Sequence, residues 1–417
     1  MNMLSLFSGC GGMDLGFEGG FSILKKSYNP LTHQHWNIKE LDEHWLKLPS
    51  TGYKTIFAND ILRSAKAAWT SYFSNTRAIS EGTFAQESII DVVHKIKNAD
   101  LVFQQDIDIV TGGFPCQDFS VAGKRLGFNS HKGHHGDVLT DLDNPSIDNR
   151  GKLYWWMREF INLTQPKVFI AENVKGLVSL DNVKAIIESD FKDIGGGYTV
   201  VPSRVLSAYE YGVPQSRERV IFIGFRKSSL NSKAAQELEH AVISERYSPY
   251  PVKSHYWDKD NSAHIIAKLN PHVSVRDALV GLPEPEESDD LSHQSYSKAK
   301  WMGKHCQGQI EVKLDQIGPT IRSEHHGNIE FRRLALEHGG KYDDDFKKGK
   351  KQRRLSVREC ARIQTFPDEF HFVRKVSDPN YKISASEGYK LVGNAVPPLL
   401  AFHIAMRLKD NWELYFG

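Results

Sequence analysis

Short apolar runs recur along the chain, and several end on a glycine turn or an acid. Leu4-Ser5-Leu6-Phe7 comes first, followed by Ser8-Gly9-Cys10-Gly11-Gly12 and then Met13 to Gly16, a sequence that reads as strand, glycine turn and helix. Further strands are predicted at Thr55 to Asp60, Ile107 to Val110, Lys167 to Ala171 and Val220 to Phe225. Helical periodicity fills Asp60 to Phe73 and Tyr154 to Leu163. Continuous apolar strands, rather than alternating ones, belong to a sheet covered on both faces. Strands alternating with helices predict an α/β fold with a doubly wound, mostly parallel sheet.

Beyond Phe225 this rhythm degrades. Residues 227–346 carry Pro249, Pro251, Pro271, Pro283 and Pro285, the acidic patch Glu284 to Asp290, and little helical period. The division expected is a domain at 1–225, completed by the C-terminal segment 385–417, and a smaller irregular domain at 226–384. The basic run Lys347 to Arg354 leads into a helix at Ser356 to Gln364, where Ser356 and Glu359 have capping-box spacing. That run is read equally as a solvated face or a phosphate clamp. A last helix starts near Pro397-Pro398, since proline suits a first turn, and runs through Leu408.

Composition narrows the picture only slightly. The chain has 417 residues, 40% of them hydrophobic, which suits a large domain plus a smaller one. A net charge of +2 neither requires nor excludes nucleic acid as a partner. Four cysteines lie far apart with no C-x-x-C pair, which argues for a reducing cytosol and against a disulfide framework. No apolar stretch is read as a membrane span. A cytoplasmic protein is expected.

The chemistry concentrates in Gly112-Gly113-Phe114-Pro115-Cys116-Gln117, where a lone cysteine stands behind a proline at the end of an apolar run. The thiolate is the attacking species, so its neighbours decide whether Cys116 reacts. Glu172 ends Val168 to Ala171 in the same way, and two strand ends of one sheet converge on one crevice. Bland readings compete. Cys116 could be a packed thiol, Glu172 or Asp60 a helix cap, and Arg217 and Arg219 a solvated cluster around Glu218. The glycine turn lacks the G-x-G-x-x-G spacing and a P-loop lysine. His33, His35, His44, His131, His134 and His135 offer no closed ligand set, so they read as surface or loop histidines with no metal. Cys10 is expected to pack.

Taken together, the segments Leu6 to Gly12, Gly113 to Ser120, Glu172-Asn173-Val174, Gln215 to Arg219, Arg358 to Pro367 and Gly393 to Pro398 resemble the cytosine-C5 DNA methyltransferases, in family order. The resemblance covers most of the chain outside about 226 to 350. It implies a Rossmann-like, S-adenosylmethionine-dependent enzyme of the restriction-modification type. Cys116 would attack C6 of cytosine, so that C5 becomes an enamine carbon able to take the methyl group. Glu172 would serve N3, Arg219 would grip O2, and Arg217 would support the site. Phe7, Ser8, Gly9, Cys10, Gly11 and Gly12 are assigned to the methionine and ribose side of the cofactor, and Asp60 to the ribose hydroxyls. Ile61 stands where an aromatic often covers adenine, and Asp91 is matched loosely to the adenine amino group. Phe114, Pro115, Leu153, Asn394, Ala395 and Val396 complete that pocket.

The chemistry implies a target cytosine flipped out of double-stranded DNA. Gln117 and Ser120 beside the nucleophile would touch DNA, and Gly123 to Gly136 would close over it. Within the target-recognition domain, Arg322, His325, His326 and Asn328 are DNA candidates by residue type. Residues 21–54 look inserted and are expected to affect the surface more than the mechanism. A monomer suffices, and a cognate restriction endonuclease would act on the same site without physical contact. The alternatives are an RNA cytosine-C5 methyltransferase and a non-catalytic DNA-binding protein.

Overall fold

The computed structural model describes residues 1–115, 153–180, 182–257, 268–323, 328–375 and 381–417. Its centre is one sheet built from β1 (Asn2–Leu6), β2 (Lys54–Asn59), β3 (Phe84–Ala85), β4 (Ile109–Gly113), β5 (Val168–Val174), β6 (Tyr198–Val200), β7 (Arg204–Ser207) and β8 (Glu218–Arg226). The spatial order is β7-β8-β5-β4-β1-β2-β3, with β6 also paired to β8. The pairs β1–β2, β1–β4, β4–β5 and β2–β3 are parallel, and β8 runs antiparallel to β5, β6 and β7. The doubly wound α/β expectation is met.

Side chains show why the apolar runs are unbroken. Along β5, Val168 and Ile170 enter one core while Phe169 and Ala171 enter the other; along β8, Ile221 and Ile223 oppose Val220 and Phe222 in the same way. Each face therefore needs its own apolar set. Helices cover both faces: α1 (Gly12–Glu18), α2 (Arg63–Thr76), α3 (Ile89–Lys97), α4 (Leu153–Thr164), α5 (Val183–Lys192), α6 (Val357–Ile363), α7 (Ala385–Asn394) and α8 (Pro398–Asp410). The Ser356 and Glu359 capping box at the start of α6 is formed in both directions.

β1 sits between β2 and β4, so the chain winds outward on both sides of it and leaves a crevice at the strands' carboxyl ends. α8 returns to pack on α1. A Cβ on Gly16 would lie 2.4 Å from the Pro398 carbonyl oxygen and 2.4 Å from the Ala401 Cβ, so α1 and α8 touch through a residue with no side chain. The stretch Ala385–Asp410, apolar enough by composition to cross a membrane, is mostly buried and is broken between α7 and α8. The sequence reading missed this stretch; packing against α1 explains its composition.

Three expectations are corrected here. The segment 21–54 is not a surface addition, because Phe21, Ile23, Trp36, Leu46 and Leu48 are buried in the main core. His33 is buried as well, its ring 4.1 Å from Trp36 and 4.8 Å from His403. The basic run does not end as a solvated or phosphate-binding face. Arg353 is bonded to Glu359 at 2.7 and 3.0 Å and to Glu284 at 3.1 Å, and Arg354 is 1% exposed.

Asp14 is wholly buried beneath the glycine turn, where it accepts from the Ser5 hydroxyl at 2.5 Å and the Trp69 indole at 2.6 Å. Burial pushes its carboxyl up to about 7, against the pull of both donors. A folded-state value above the unfolded one adds stability that is complete below the unfolded value of 3.8 and is lost as pH rises through about 7. Asp14→Asn keeps both hydrogen bonds, since the Ser5 hydroxyl can reverse. The expected result is that wild-type unfolding free energy falls relative to the variant across that window, by at most about 1.4 kcal/mol per pH unit. Urea titrations of both proteins at several pH values measure it, and a pH-independent difference contradicts it.

Candidate active site

Four strand ends meet at the crevice. Leu6 pairs with Asn59 on one side and Gly112 on the other, and Gly113 pairs with Glu172. The apolar run predicts a strand ending at Val110, yet β4 continues through both glycines because they face Ala171 and Glu172 in register. Glu172 is likewise inside β5 rather than at its end, which removes the helix-cap reading.

The glycine of β4 makes room for the acid. A Cβ on Gly113 would stand 2.8 Å from the Glu172 Oε2, so the carboxyl lies directly over the strand that leads to Cys116. Its other oxygen, Oε1, is 2.6 Å from the Nε of Arg219, and both side chains are about nine-tenths buried. Arg219 reaches it because antiparallel pairing sets Arg219 opposite Val174 and Ile221 opposite Glu172. Burial raises the Glu172 carboxyl above the usual glutamate range, while Arg219 and Arg217 pull it down. Asn173 donates to the Phe114 carbonyl at 3.2 Å and so holds the segment that enters Pro115. Asn173 and Gly113 are working residues to which the sequence reading gave no role, although both lie in the motifs; the signal was a glycine and an amide directly beside chemistry-bearing positions.

Gly113→Ala should therefore displace the Glu172 carboxyl without disturbing the glycine turn after β1. Any chemical step that uses this carboxyl is expected to slow about 10- to 100-fold. An unchanged rate in a rapid-quench experiment would show that the carboxyl's position over β4 does not matter.

Arg217 stands two residues before Arg219 and deeper in the fold. It is fully buried and donates to the carbonyls of Ile321 at 3.0 Å and Gly393 at 2.8 Å. It joins the segment at 321 to the last turn of α7, and its charge acts on the Glu172 carboxyl. Gln215 and Gln364 work beside it: Gln215 accepts from the Ile321 N–H at 3.0 Å and bonds the Gln364 side chain, which donates to Val392 and Ala395 carbonyls.

On the other side of β1 lies the glycine turn. Phe7, Gly9 and Gly11 have φ of 51°, 55° and 90°, a left-handed backbone that glycine adopts most easily. No atom lies within 4 Å of a Cβ built on Gly9, whereas one on Gly12 would meet the Val396 carbonyl at 2.4 Å. The turn is thus open toward the crevice at Gly9 and closed onto the Asn394–Val396 turn at Gly12. Asp60 braces it, accepting from the Gly9 N–H at 2.9 Å and from the Leu62 N–H at 2.8 Å. Asp60 does not cap the helix after β2, whose N-cap is Leu62 with no side-chain cap bond, and each of its oxygens keeps a lone pair for a hydroxyl. Ser8 ties β1 to β2, donating to the Ser5 carbonyl and accepting from the Asn59 N–H. Cys10 is buried with its thiol pushed far up by burial, and it packs as expected.

Other residues named from sequence divide as follows. Leu153 and Phe114 are buried in the core below the crevice, Pro115 and Ile61 are half-buried, Asn394 is exposed, Ala395 is half-buried and Val396 is buried. Asp91 is exposed in the first turn of α3, and no contact described for it reaches the crevice. Arg322 is half-buried, 3.7 Å from Glu330. Asn328 is half-buried with its backbone against Gly308. Cys116, Gln117, Ser120, the segment 123–136, His325 and His326 lie outside the described residues. A separate cleft of about 370 Å³, bordered by Ile107, Lys167 and Arg226, opens at the opposite end of β4 and β5 and brings together none of these groups.

A family model described as C-5 cytosine-specific DNA methylase matches residues 43–410. Among curated proteins the chain is similar to the Type II methyltransferase M.FnuDI of Fusobacterium nucleatum, 32% identical over 99% of this chain and 95% of that protein. It is also similar to M.BsuRI of Bacillus subtilis, 28% identical over 100% and 80%. Among solved structures, the S. pombe Dnmt2 methyltransferase superposes with a TM-score of 0.54 at 16% identity, covering 98% of this chain and 99% of that one. The Entamoeba histolytica methyltransferase EhMeth gives 0.54 at 13%, over 99% and 98%. These two likenesses concern the fold.

Proposed function

The chain belongs to the C-5 cytosine-specific DNA methylases, and from that premise we propose how its residues divide the methylation of cytosine at C5. The observation that carries the reading is the Glu172 carboxyl lying over Gly113 and paired with Arg219 at the carboxyl end of the strand leading to Cys116. An acid and a guanidinium converge there, in a desolvated place, where a pyrimidine ring would present N3 and O2.

In this reading the Cys116 thiolate adds to C6 of a flipped cytosine, and the electron pair released from the C5–C6 bond moves through the ring toward N3. Glu172 gives its proton to N3, so the ring becomes a neutral enamine with a nucleophilic C5. Arg219, permanently charged with fixed donors, holds O2. S-adenosylmethionine, when bound, supplies the methyl that C5 takes. Loss of the C5 proton to solvent then restores the C5–C6 double bond as the Cys116 thiolate leaves, and N3 returns its proton to Glu172. The residues present suit the cofactor: the open backbone at Gly9, the braced Asp60 carboxylate for a ribose diol, and the Asn394–Val396 turn against Gly12. Arg217 holds two segments in place and supports the site through its charge on Glu172.

Residues 226–384 read the target on duplex DNA, and the enzyme acts as a monomer in the cytoplasm. The names of its curated relatives support a Type II modification role, in which a short site is shielded from an independent endonuclease. Incubation with S-adenosylmethionine and a mixed-sequence DNA library, followed by base-resolution mapping of 5-methylcytosine, tests this. Methylation confined to one short motif is expected. Cofactor binding with no DNA methylation would turn the reading toward RNA or toward binding alone.

A further inference from the structure

Arg354 organises one loop of the recognition region. It is 1% exposed and its guanidinium lies 4.0 Å over the Phe331 ring. Nε donates to Ala299 O at 2.9 Å, Nη1 to Gly308 O at 2.8 Å and to Ile329 O, and Nη2 to Lys300 O at 3.1 Å and Gln309 Oε1 at 3.2 Å. An arginine has about five N–H donors, so none remains for a phosphate. All of them fasten the two ends of the loop Trp301–Gly308 to the chain at Ile329.

Other contacts stiffen the same base. The Gln309 side chain accepts from the Met302 N–H at 2.9 Å, its carbonyl accepts from the Trp301 indole at 3.2 Å, and the Trp301 ring stacks on His338 at 4.1 Å and 7°. Gly308, at φ 68°, presses so closely on Asn328 that a Cβ would lie 2.1 Å from its carbonyl oxygen. The tip is the opposite: Met302 is 49% exposed, and Lys304 and His305 are exposed. From Leu291 to Ile310 the chain contains no Asp or Glu, while Lys298, Lys300 and Lys304 fall within it. A loop with a fixed base and a basic, partly apolar tip suits a DNA groove: cations meet phosphates and guanine O6 and N7, and a thioether meets a thymine methyl. Fixing the base in advance keeps such contacts in register.

We propose that Trp301–Gly308 is a base-reading loop, that Lys304 and His305 make its contacts to duplex DNA, and that Arg354 is the positioning residue that sets its register. The inference rests on residues 226–384 being the recognition domain.

The test uses the full-length enzyme. The wild-type motif is mapped first with labelled S-adenosylmethionine and a DNA library, and then Lys304→Ala and His305→Ala are compared with it. The preference for the cognate site over one-base variants is expected to fall about 10- to 100-fold in at least one of them, with cofactor affinity unchanged. Arg354→Lys keeps the charge but not the fork. Where circular dichroism and cofactor binding show it folded, it should lose discrimination in the same way, a change in site preference that a purely structural weakening would not cause. Identical motifs and DNA KM values for both loop variants would overturn the proposal. A wild-type enzyme that binds the cofactor but methylates no DNA would overturn the underlying reading instead.

Discussion

Cys116→Ala is expected to abolish methyl transfer while leaving S-adenosylmethionine binding near the wild-type level. C5 of cytosine is a weak nucleophile, and it gains electron density only when a group adds to C6. No other cysteine is placed to substitute. Cys10 and Cys360 are buried thiols pushed far above the ordinary range by burial, and Cys306 lies in the Trp301–Gly308 loop, its thiol against the Met302 carbonyl. The proposed cofactor side of the crevice is at Gly9, Gly12 and Asp60, on the far side of β1 from Glu172. Single-turnover transfer of labelled methyl, with cofactor affinity measured in parallel, separates the two effects. Retained turnover would mean that the reaction does not pass through attack by this sulfur.

Glu172→Gln should slow the chemical step about 10²- to 10⁴-fold, the range of a positioned acid, with a much smaller change in DNA affinity. The carboxyl must hold a proton near neutrality to give it to N3. Burial raises its affinity for the proton, and Arg219 and Arg217 lower it, with burial the larger influence. The protonated form of Glu172 is the active one, so Glu172 should give the wild-type rate a limb that declines as pH rises through the elevated value, opposed at lower pH by protonation of the Cys116 thiolate. Glutamine cannot ionise, and the variant should lack that declining limb. Should the wild-type single-turnover rate show no group titrating above an ordinary glutamate, Glu172 is not the acid. The ion pair with Arg219 at 2.6 Å sharpens the point, because in the proposed reading a cytosine O2 would share that guanidinium and loosen its hold on Glu172.

Several features of the fold were legible because they depend on local pattern alone. Runs such as Val168 to Ala171 announced strands covered on both faces. Ser356 and Glu359 announced a helix start three residues apart, and the glycines after Leu6 announced a turn that L side chains resist. Where the pattern was interrupted, the reading stopped short. β4 was cut at Val110 because glycine is a poor strand former, although pairing with Ala171 and Glu172 carries it to Gly113.

The sequence by itself determined the chemistry available: a cysteine after a proline, an acid, two arginines and a glycine turn, in the order of one family. Only the tertiary structure decided what each charge faces. Arg219 pairs with Glu172 while Arg217, two residues away, turns inward to hold Ile321 and Gly393. Arg353 and Arg354 look like part of a solvated basic run, yet they are buried because their partners arrive from elsewhere, Glu284 from 69 residues away and the Gly308 carbonyl from 46. A guanidinium is stable inside a protein only when hydrogen-bonded oxygens replace its water. Those oxygens are supplied by distant segments brought together on folding, which the order of residues along the chain does not display.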